Sequence, residues 1–199
     1  MIAAVVGYLL GSIPTGMVVA RVYRNVDLTA HGSGRTGATN VLRTLGRGAA
    51  AVAFAGDLLK GAVAVLAVKL VIAPDVAWIE MIAAVMAVVG HTYSVFIGFK
   101  GGRGVVTGFG ATVVAAPIPS LIAFGIGITL VIVTRYVSLG SVVGAALGCL
   151  LMCGFAYIRG DAAWAIWGLL VGGFIVLAHK DNIERLLAGT ERKLGERAT

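Results

Sequence analysis

Five stretches of this chain, about 2–21, 49–72, 77–98, 137–158 and 161–178, are nearly unbroken runs of Ala, Val, Leu, Ile and Gly. Each approaches the roughly 20 helical residues that cross a bilayer core. A chain of 199 residues is long enough for one soluble core, but apolar runs recurring from end to end have the bilayer as their natural solvent. Composition agrees: 59% of residues are hydrophobic and only 13% charged, about half the usual share of a soluble domain. Mean hydropathy is +0.97. The 29 glycines suit membrane helices whose backbones approach closely.

The segment from Gly104 to Thr134 is longer than one span and shorter than two, and Pro117 and Pro119 interrupt it. Read as two short helices meeting at Ala116–Ser120, it forms a hairpin. Arg21, Arg24, Arg35, Arg43, Arg47, Lys100, Arg103, Arg135, Lys180, Arg185, Arg192, Lys193 and Arg197 then share one side, which is most of the 16 basic residues. Read as one kinked span, it would send Arg135 and the basic tail outside. Basic residues concentrate in cytoplasmic loops, so the hairpin is preferred. The expectation is an all-α integral membrane protein of seven transmembrane helices, N-terminus outside and C-terminus cytoplasmic. Residues 1–199 form one domain with no internal repeat. The opening run MIAAVVGYLLG lacks a basic flank and a clear cleavage pattern, so it reads as a retained first span.

Net charge is +7. With basic residues lodged between apolar runs and only 8% aromatic residues, topology and anionic ligands explain it better than nucleic acid. Cys149 and Cys153 lie four apart on one helical face and are expected to pack there, without a disulfide.

Three polar segments fall on the expected cytoplasmic side. The first, His31-Gly-Ser-Gly-Arg-Thr-Gly-Ala-Thr-Asn-Val-Leu-Arg43, combines glycines, hydroxyls, an amide and arginines. Ser33, Gly34, Thr39, Asn40 and Arg43 are its candidate phosphate contacts. Glycine-rich backbone presents N–H donors, Arg adds a forked permanent cation, and a helix beginning near Thr39 would add its N-terminal amides. No GK[ST] closes the loop, so it is not a Walker loop. A solvated turn with topology-setting arginines is the competing reading. The second segment, Phe99-Lys-Gly-Gly-Arg-Gly104, sets Lys100 and Arg103 around Gly101 and Gly102 at a helix start, suiting a second phosphate; a membrane-boundary loop with ordinary inside charges is the alternative. In the third, His179 and Asn182 would share a face of a continuing helix, one able to titrate near neutrality and the other to orient a hydroxyl or carbonyl. A helix cap followed by an amphipathic tail is the alternative there.

Asp57 and Lys60, one turn apart inside the second span, read as a buried ion pair. Glu80 reads as interfacial, and His91 as a buried, hydrogen-bonded histidine or a catalytic one. No His- or Cys-rich cluster suggests a metal, and no dense aspartate set would hold magnesium. No histidine is followed by aspartate in an HxxxxD arrangement; HKDNIE at His179 comes nearest.

Taken in order, GSIPTG at 11–16, GSGRTGATNVLR at 32–43, GDLLKG at 56–61, GHTYSVFIGFKGGRGV at 90–105, RYVSLGS at 135–141 and HKDNIERLLAGTERK at 179–193 cover nearly the whole chain. With these pieces it resembles the bacterial acyl-phosphate:glycerol-3-phosphate acyltransferase family of seven-helix inner-membrane proteins. Arg103 stands where a lysine is usual, Ala178 where an arginine is usual, and Arg35–Thr36 where many relatives carry an amide and a small residue.

The resemblance implies acyl transfer from acyl phosphate to the 1-hydroxyl of glycerol 3-phosphate, giving lysophosphatidate and phosphate. This would be the first acylation of phospholipid synthesis, at the cytoplasmic face of the inner membrane. It implies no cofactor, no metal, and no acyl-CoA or acyl-carrier protein as direct donor. Carried onto this chain, Ser33 and Arg43 contact phosphate. Lys100 and Arg103 hold another phosphate with the Gly101 and Gly102 amides. Ser138 and Ser141 complete the acceptor pocket with His179 and Asn182. The acyl chain lies in a groove between helices, open to lipid. The competing functions are a transporter or channel for an organic phosphate anion, whose polar residues would continue to the outer side, and a structural subunit.

Overall fold

The computed structural model describes residues 1–196, and Arg197, counted above with the basic tail, lies outside the described residues. Those residues form ten helices and no strand: α1 (Ile2–Ser12), α2 (Thr15–Arg24), α3 (Ala38–Leu45), α4 (Arg47–Ala67), α5 (Ala77–Thr92), α6 (Val105–Ala115), α7 (Pro117–Thr134), α8 (Val137–Arg159), α9 (Ala163–Ala178) and α10 (Lys180–Leu187), with short 3₁₀ and π turns between them. Five stretches are long and apolar enough to cross a membrane: Ile2–Arg24, Arg47–Ile72, Ala77–Ile97, Pro117–Thr134 and Val137–Arg159. The chain is a multi-pass membrane protein.

Two expectations about spans change. The 161–178 run is α9, only 16 residues, and becomes span-length only together with α10, from which it is bent by 58°. In the 104–134 segment only α6 is short. Its 11 residues rise about 16 Å, roughly half a hydrocarbon core, whereas α7 has 18 residues. Ala116, with φ −134°, separates them, and Pro117 occupies the first turn of α7, where its missing N–H breaks no helical bond. The two helices do fold back on one another as a hairpin, since Phe109 of α6 stacks on Phe124 of α7 with ring centroids 3.9 Å apart.

The first span is broken where its sequence requires. Pro14 lacks an N–H and drives Ile13 out of helical geometry (φ −56°, ψ 115°), so the Ile13 carbonyl has no helical i+4 partner and accepts only the tight-turn amide of Thr15 from the backbone, at 3.0 Å. Lys60 Nζ, from α4, donates to that carbonyl at 2.8 Å. The same ammonium lies 2.8 Å from Asp57 Oδ1, which also accepts from Thr15 Oγ1 at 2.5 Å. The expected Asp57–Lys60 ion pair is therefore present, and it ties GDLLKG to the break in GSIPTG. Lys60 supplies both a counter-charge and a surrogate backbone donor.

Backbone-to-backbone approach holds the bundle together. Gly7 and Gly11 of α1 lie against the backbone of Ala83 and Ala87 in α5, and Gly61 of α4 against Thr107 in α6. A side chain at any of the three would strike the neighbouring helix. The apolar core joins α5, α6, α8 and α9 around Val88, Met152, Val171, Ile175 and the stacked Trp164–Trp167 pair. Large apolar side chains such as Ile132, Val133, Leu150 and Leu177 point outward, as a lipid-facing surface requires. Glu80, read as interfacial, stands in the first turn of α5 and is 2% exposed, with Lys69 Nζ 3.7 Å away. Cys149 and Cys153 are free and half-buried rather than fully packed.

Candidate active site

One cavity of about 670 Å³ opens where the polar segments converge. Its mouth is formed by Ser33, Arg35, Thr39, Asn40, Arg43 and Arg47 from the 31–47 region, Gly102 and Arg103 before α6, Ser138 and Ser141 on α8, His179 and Asn182 beyond α9, and Glu191 from the tail. From there it continues between α6, α7, α8 and α9 past Phe109, Phe124, Gly144, Gly148 and Met152. A polar, mostly cationic mouth thus passes into an apolar trench. Four guanidinium groups face two carboxylates, Asp57 and Glu191. Among the described residues no three His, Cys, Asp or Glu side chains come together.

The first loop is built around Asn40. Its Oδ1 accepts from the Ser33 amide at 3.1 Å, and its Nδ2 donates to the carbonyls of Arg35 (2.8 Å), His31 (3.0 Å) and Leu28 (3.3 Å). Asn40 is 2% exposed and spends its polar atoms on the loop. It is a loop organiser rather than the phosphate contact its position suggested. Gly34 (φ +66°) turns the chain, donates its amide to His31, and does not line the cavity. The helix expected near Thr39 is α3, beginning at Ala38, so the amides of Ala38 and Thr39 stand in its donor-rich first turn. Arg43, one turn along, donates from NH2 to the Arg192 carbonyl at 3.4 Å, while its Nε is buried without a partner among the described residues.

The second loop differs from its sequence reading in two respects. The Gly101 amide donates to the Thr92 carbonyl (3.0 Å) and the Gly102 amide to the His91 carbonyl (3.2 Å), so these N–H groups face the protein rather than a ligand. Lys100 is exposed and, like Gly101, does not line the cavity. Arg103 does, and its Nε is also buried without a partner among the described residues. Burial, reinforced by repulsion from Arg35 and Arg185, lowers the Arg103 pKa to about 10. Buried guanidinium N–H groups lacking a protein acceptor are rare and call for a ligand anion. The two loops expected to make separate phosphate sites therefore serve one cavity.

On the third segment, His179 and Asn182 do not share a face of one straight helix, because the chain bends between α9 and α10 at His179. Both are buried and both line the cavity. His179 Nδ1 lies 2.8 Å from the Ile175 carbonyl, which can only accept, so the ring proton sits on Nδ1 and Nε2 carries the lone pair. Burial, aided by the nearby positive charge of Arg103, lowers the His179 pKa to about 4, so the ring is neutral at physiological pH. Asn182 Nδ2 donates to Glu191 Oε1 at 2.7 Å and Ser138 Oγ to the same oxygen at 2.8 Å; Arg185 Nε donates to Glu191 Oε2 at 2.7 Å. Burial raises the Glu191 pKa, but these hydrogen bonds outweigh it and the net shift is downward. Ser141 Oγ donates to the Val137 carbonyl of its own helix at 2.9 Å.

Several cavity residues were not singled out from sequence as site residues, Arg35, Arg47, Asp57 and Glu191, and His91 was left between a buried and a catalytic role. Arg47 looked like a topology charge and Glu191 like part of a solvated tail. Only the density of charge in GTERK after HKDN hinted that the tail folds back.

A sequence model of the glycerol-3-phosphate acyltransferase family matches residues 1–189. A glycerol-3-phosphate acyltransferase of Thermoanaerobacter sp. (strain X514) is 41% identical over 197 residues, covering 99% of this chain and 96% of that one. One from Thermus thermophilus is 43% identical over 191 residues, covering 96% and 92%. Among solved structures, the glycerol 3-phosphate form of PlsY, an integral membrane glycerol 3-phosphate acyltransferase, superposes with a TM-score of 0.88 at 35% identity, covering 98% of this chain and 94% of that one. The lysophosphatidic acid form of the same protein gives a TM-score of 0.86. On sequence and structure together, this chain belongs to the glycerol-3-phosphate acyltransferase family.

Proposed function

We propose that this chain transfers a fatty acyl group from acyl phosphate to the 1-hydroxyl of glycerol 3-phosphate, releasing lysophosphatidate and phosphate. The observation that carries the reading is the single cavity whose cationic mouth continues into an apolar trench between helices. Such a shape suits a reaction joining a phosphate-bearing head to an acyl chain, and the solved relatives were obtained in glycerol 3-phosphate and lysophosphatidic acid forms. The arginines of the cavity gather at its mouth and the trench beyond them is lined by apolar side chains, which favours an enzyme over a transporter with a polar path to the opposite side.

In this reading Arg43 and Arg103 hold substrate phosphates with the first-turn amides of α3 and the hydroxyls of Ser33 and Thr39. The glycerol hydroxyl attacks the acyl carbon of the mixed anhydride. The carbon–oxygen bond to phosphate breaks, and phosphate departs with the bonding pair. His179 Nε2 is a neutral acceptor in the same wall and takes the hydroxyl proton directly or through a substrate phosphate oxygen. Arg43 stabilises charge on the leaving phosphate as it develops. Asn182, held by Glu191, and the Ser138 and Ser141 side of the mouth frame the acceptor.

The whole chain, residues 1–199, works as one membrane domain in this account. It has seven membrane helices, counting short α6 and α9, with the N-terminus outside and His179, α10 and the cavity mouth on the cytoplasmic side of the bacterial inner membrane. The basic residues gathered at the mouth end support that orientation. Reaction of the purified protein with acyl phosphate and labelled glycerol 3-phosphate tests the proposal. Labelled lysophosphatidate is expected. Binding or transport of glycerol 3-phosphate without acylation would overturn the assignment.

A further inference from the structure

The cavity floor holds a buried polar cluster to which the proposed mechanism gives no task. His91 of α5 is 6% exposed and Asp57 of α4 2% exposed, yet both reach the cavity. His91 Nδ1 lies 3.4 Å from Asp57 Oδ1 and 3.2 Å from Thr107 Oγ1 on α6. The imidazole is thus held at Nδ1 between the Asp57 carboxylate and the Thr107 hydroxyl. Asp57 is held in turn by Lys60 and Thr15, so the ring is anchored through α4 to the break between α1 and α2.

The other side of His91 carries the second loop. Its carbonyl accepts the Gly102 amide at 3.2 Å, and the neighbouring Thr92 carbonyl accepts the Gly101 amide at 3.0 Å. Gly102 rests directly on the imidazole: a Cβ added there would run into His91 Nε2. Arg103 follows immediately, with its guanidinium in the cavity and its Nε unpartnered among the described residues. Glycine is thus needed at 102 because the ring occupies the space a side chain would take, and the height of the ring sets where Arg103 begins.

We propose that His91, oriented by Asp57, is a positioning residue that fixes the Gly101–Arg103 turn and so aims Arg103 at a substrate phosphate. The proposal rests on the acyltransferase reading for its kinetic readout, but its physical core is an anion site set by a buried imidazole. Preorganised charge of this kind lowers the cost of ordering the cation on binding.

The test compares His91→Ala, Gly102→Ala, Arg103→Gln and the double variants His91→Ala/Gly102→Ala and His91→Ala/Arg103→Gln. Thermal melting in detergent checks the fold, and His91→Asn replaces His91→Ala if that variant does not fold. His91→Ala should raise KM for the same phosphate substrate as Arg103→Gln, by about tenfold, with kcat within about twofold, because uniform binding is what is lost. Gly102→Ala should do the same in the wild-type background and add little once the ring is gone. His91→Ala should likewise add little to Arg103→Gln. A purely structural role would instead lower melting temperature or kcat without selecting one substrate. Fully additive losses, or unchanged KM values in a folded His91 variant, would overturn the proposal. Binding of inorganic phosphate by calorimetry separates the two readings. If the wild type binds phosphate without transferring acyl groups, the proposed function falls, while weaker phosphate binding by His91→Ala still supports positioning and equal binding refutes it. Absence of phosphate binding in the wild type would overturn the positioning proposal alone, since the proposed function stands or falls on lysophosphatidate formation.

Discussion

Replacing Lys60 by methionine removes one buried ammonium that bonds two acceptors at once. Both side chains of the Asp57–Lys60 pair are 4% exposed, and the same Nζ bonds the Ile13 carbonyl at the α1–α2 break. Removing one partner of a buried pair costs about 3–5 kcal/mol, because Asp57 keeps its contacts to Thr15 and His91 but loses the ammonium that balances its charge. For a chain of this length each kcal/mol is worth about 2–4 °C in melting temperature, so Lys60→Met should melt on the order of 10 °C lower. The assay is thermal unfolding of detergent-solubilised protein, followed by the monodisperse fraction left after heating. Asp57→Asn/Lys60→Met should recover part of the loss, since the double variant leaves no uncompensated charge, with a coupling of roughly 1–3 kcal/mol. A Lys60→Met melting temperature within a degree or two of wild type would refute the reasoning, as would strict additivity with Asp57→Asn.

Ser33→Ala and Arg43→Ala should abolish turnover while leaving the melting temperature close to wild type; retained activity in both would remove them from the site. Lys100→Ala should change KM values less than twofold, because Lys100 is exposed and off the cavity, whereas Arg103→Gln should raise one of them at least tenfold. His179, with its pKa lowered to about 4, should stay neutral at pH 6, where a free imidazole is largely protonated. A ¹⁵N histidine spectrum, assigned by loss of the signal in His179→Gln, reads this directly. The sign for stability follows: between about 4 and 6.5 the unfolded chain binds the extra proton and the folded chain does not, so stability gained from this group rises with pH across that window.

The elements legible in the sequence were those that a local pattern determines. Apolar runs marked the long helices, Pro117 marked the α6–α7 break, and the pairing of Asp57 with Lys60 followed from spacing and the cost of charge in a membrane. Pro14 lay in a motif quoted for resemblance alone, and only its contact with Lys60 explains why GSIPTG and GDLLKG belong together. The cavity was half legible. Composition marked Ser33, Arg43, Arg103 and His179 as suited to phosphate chemistry, but it could not tell a group facing a ligand from one facing the protein. Asn40 and the Gly101 and Gly102 amides have the right chemistry and spend it on backbone carbonyls. Lys100 has the right charge and sits off the cavity. Glu191 was missed because its partners Ser138 and Asn182 are brought to it by tertiary folding, which no local spacing encodes. The bend at His179 was missed as well, since HKDNIERLL reads smoothly as helix on either side of it.

The central claim is that one cavity joins an acyl chain from acyl phosphate to glycerol 3-phosphate. Its most direct test uses the purified protein in lipid vesicles with palmitoyl phosphate and radiolabelled glycerol 3-phosphate, following labelled lipid and free phosphate together. Labelled lysophosphatidate should appear with one phosphate released per lipid formed, and palmitoyl-CoA should not replace the acyl phosphate. Vesicles that bind or take up glycerol 3-phosphate yet form no labelled lipid would contradict the account.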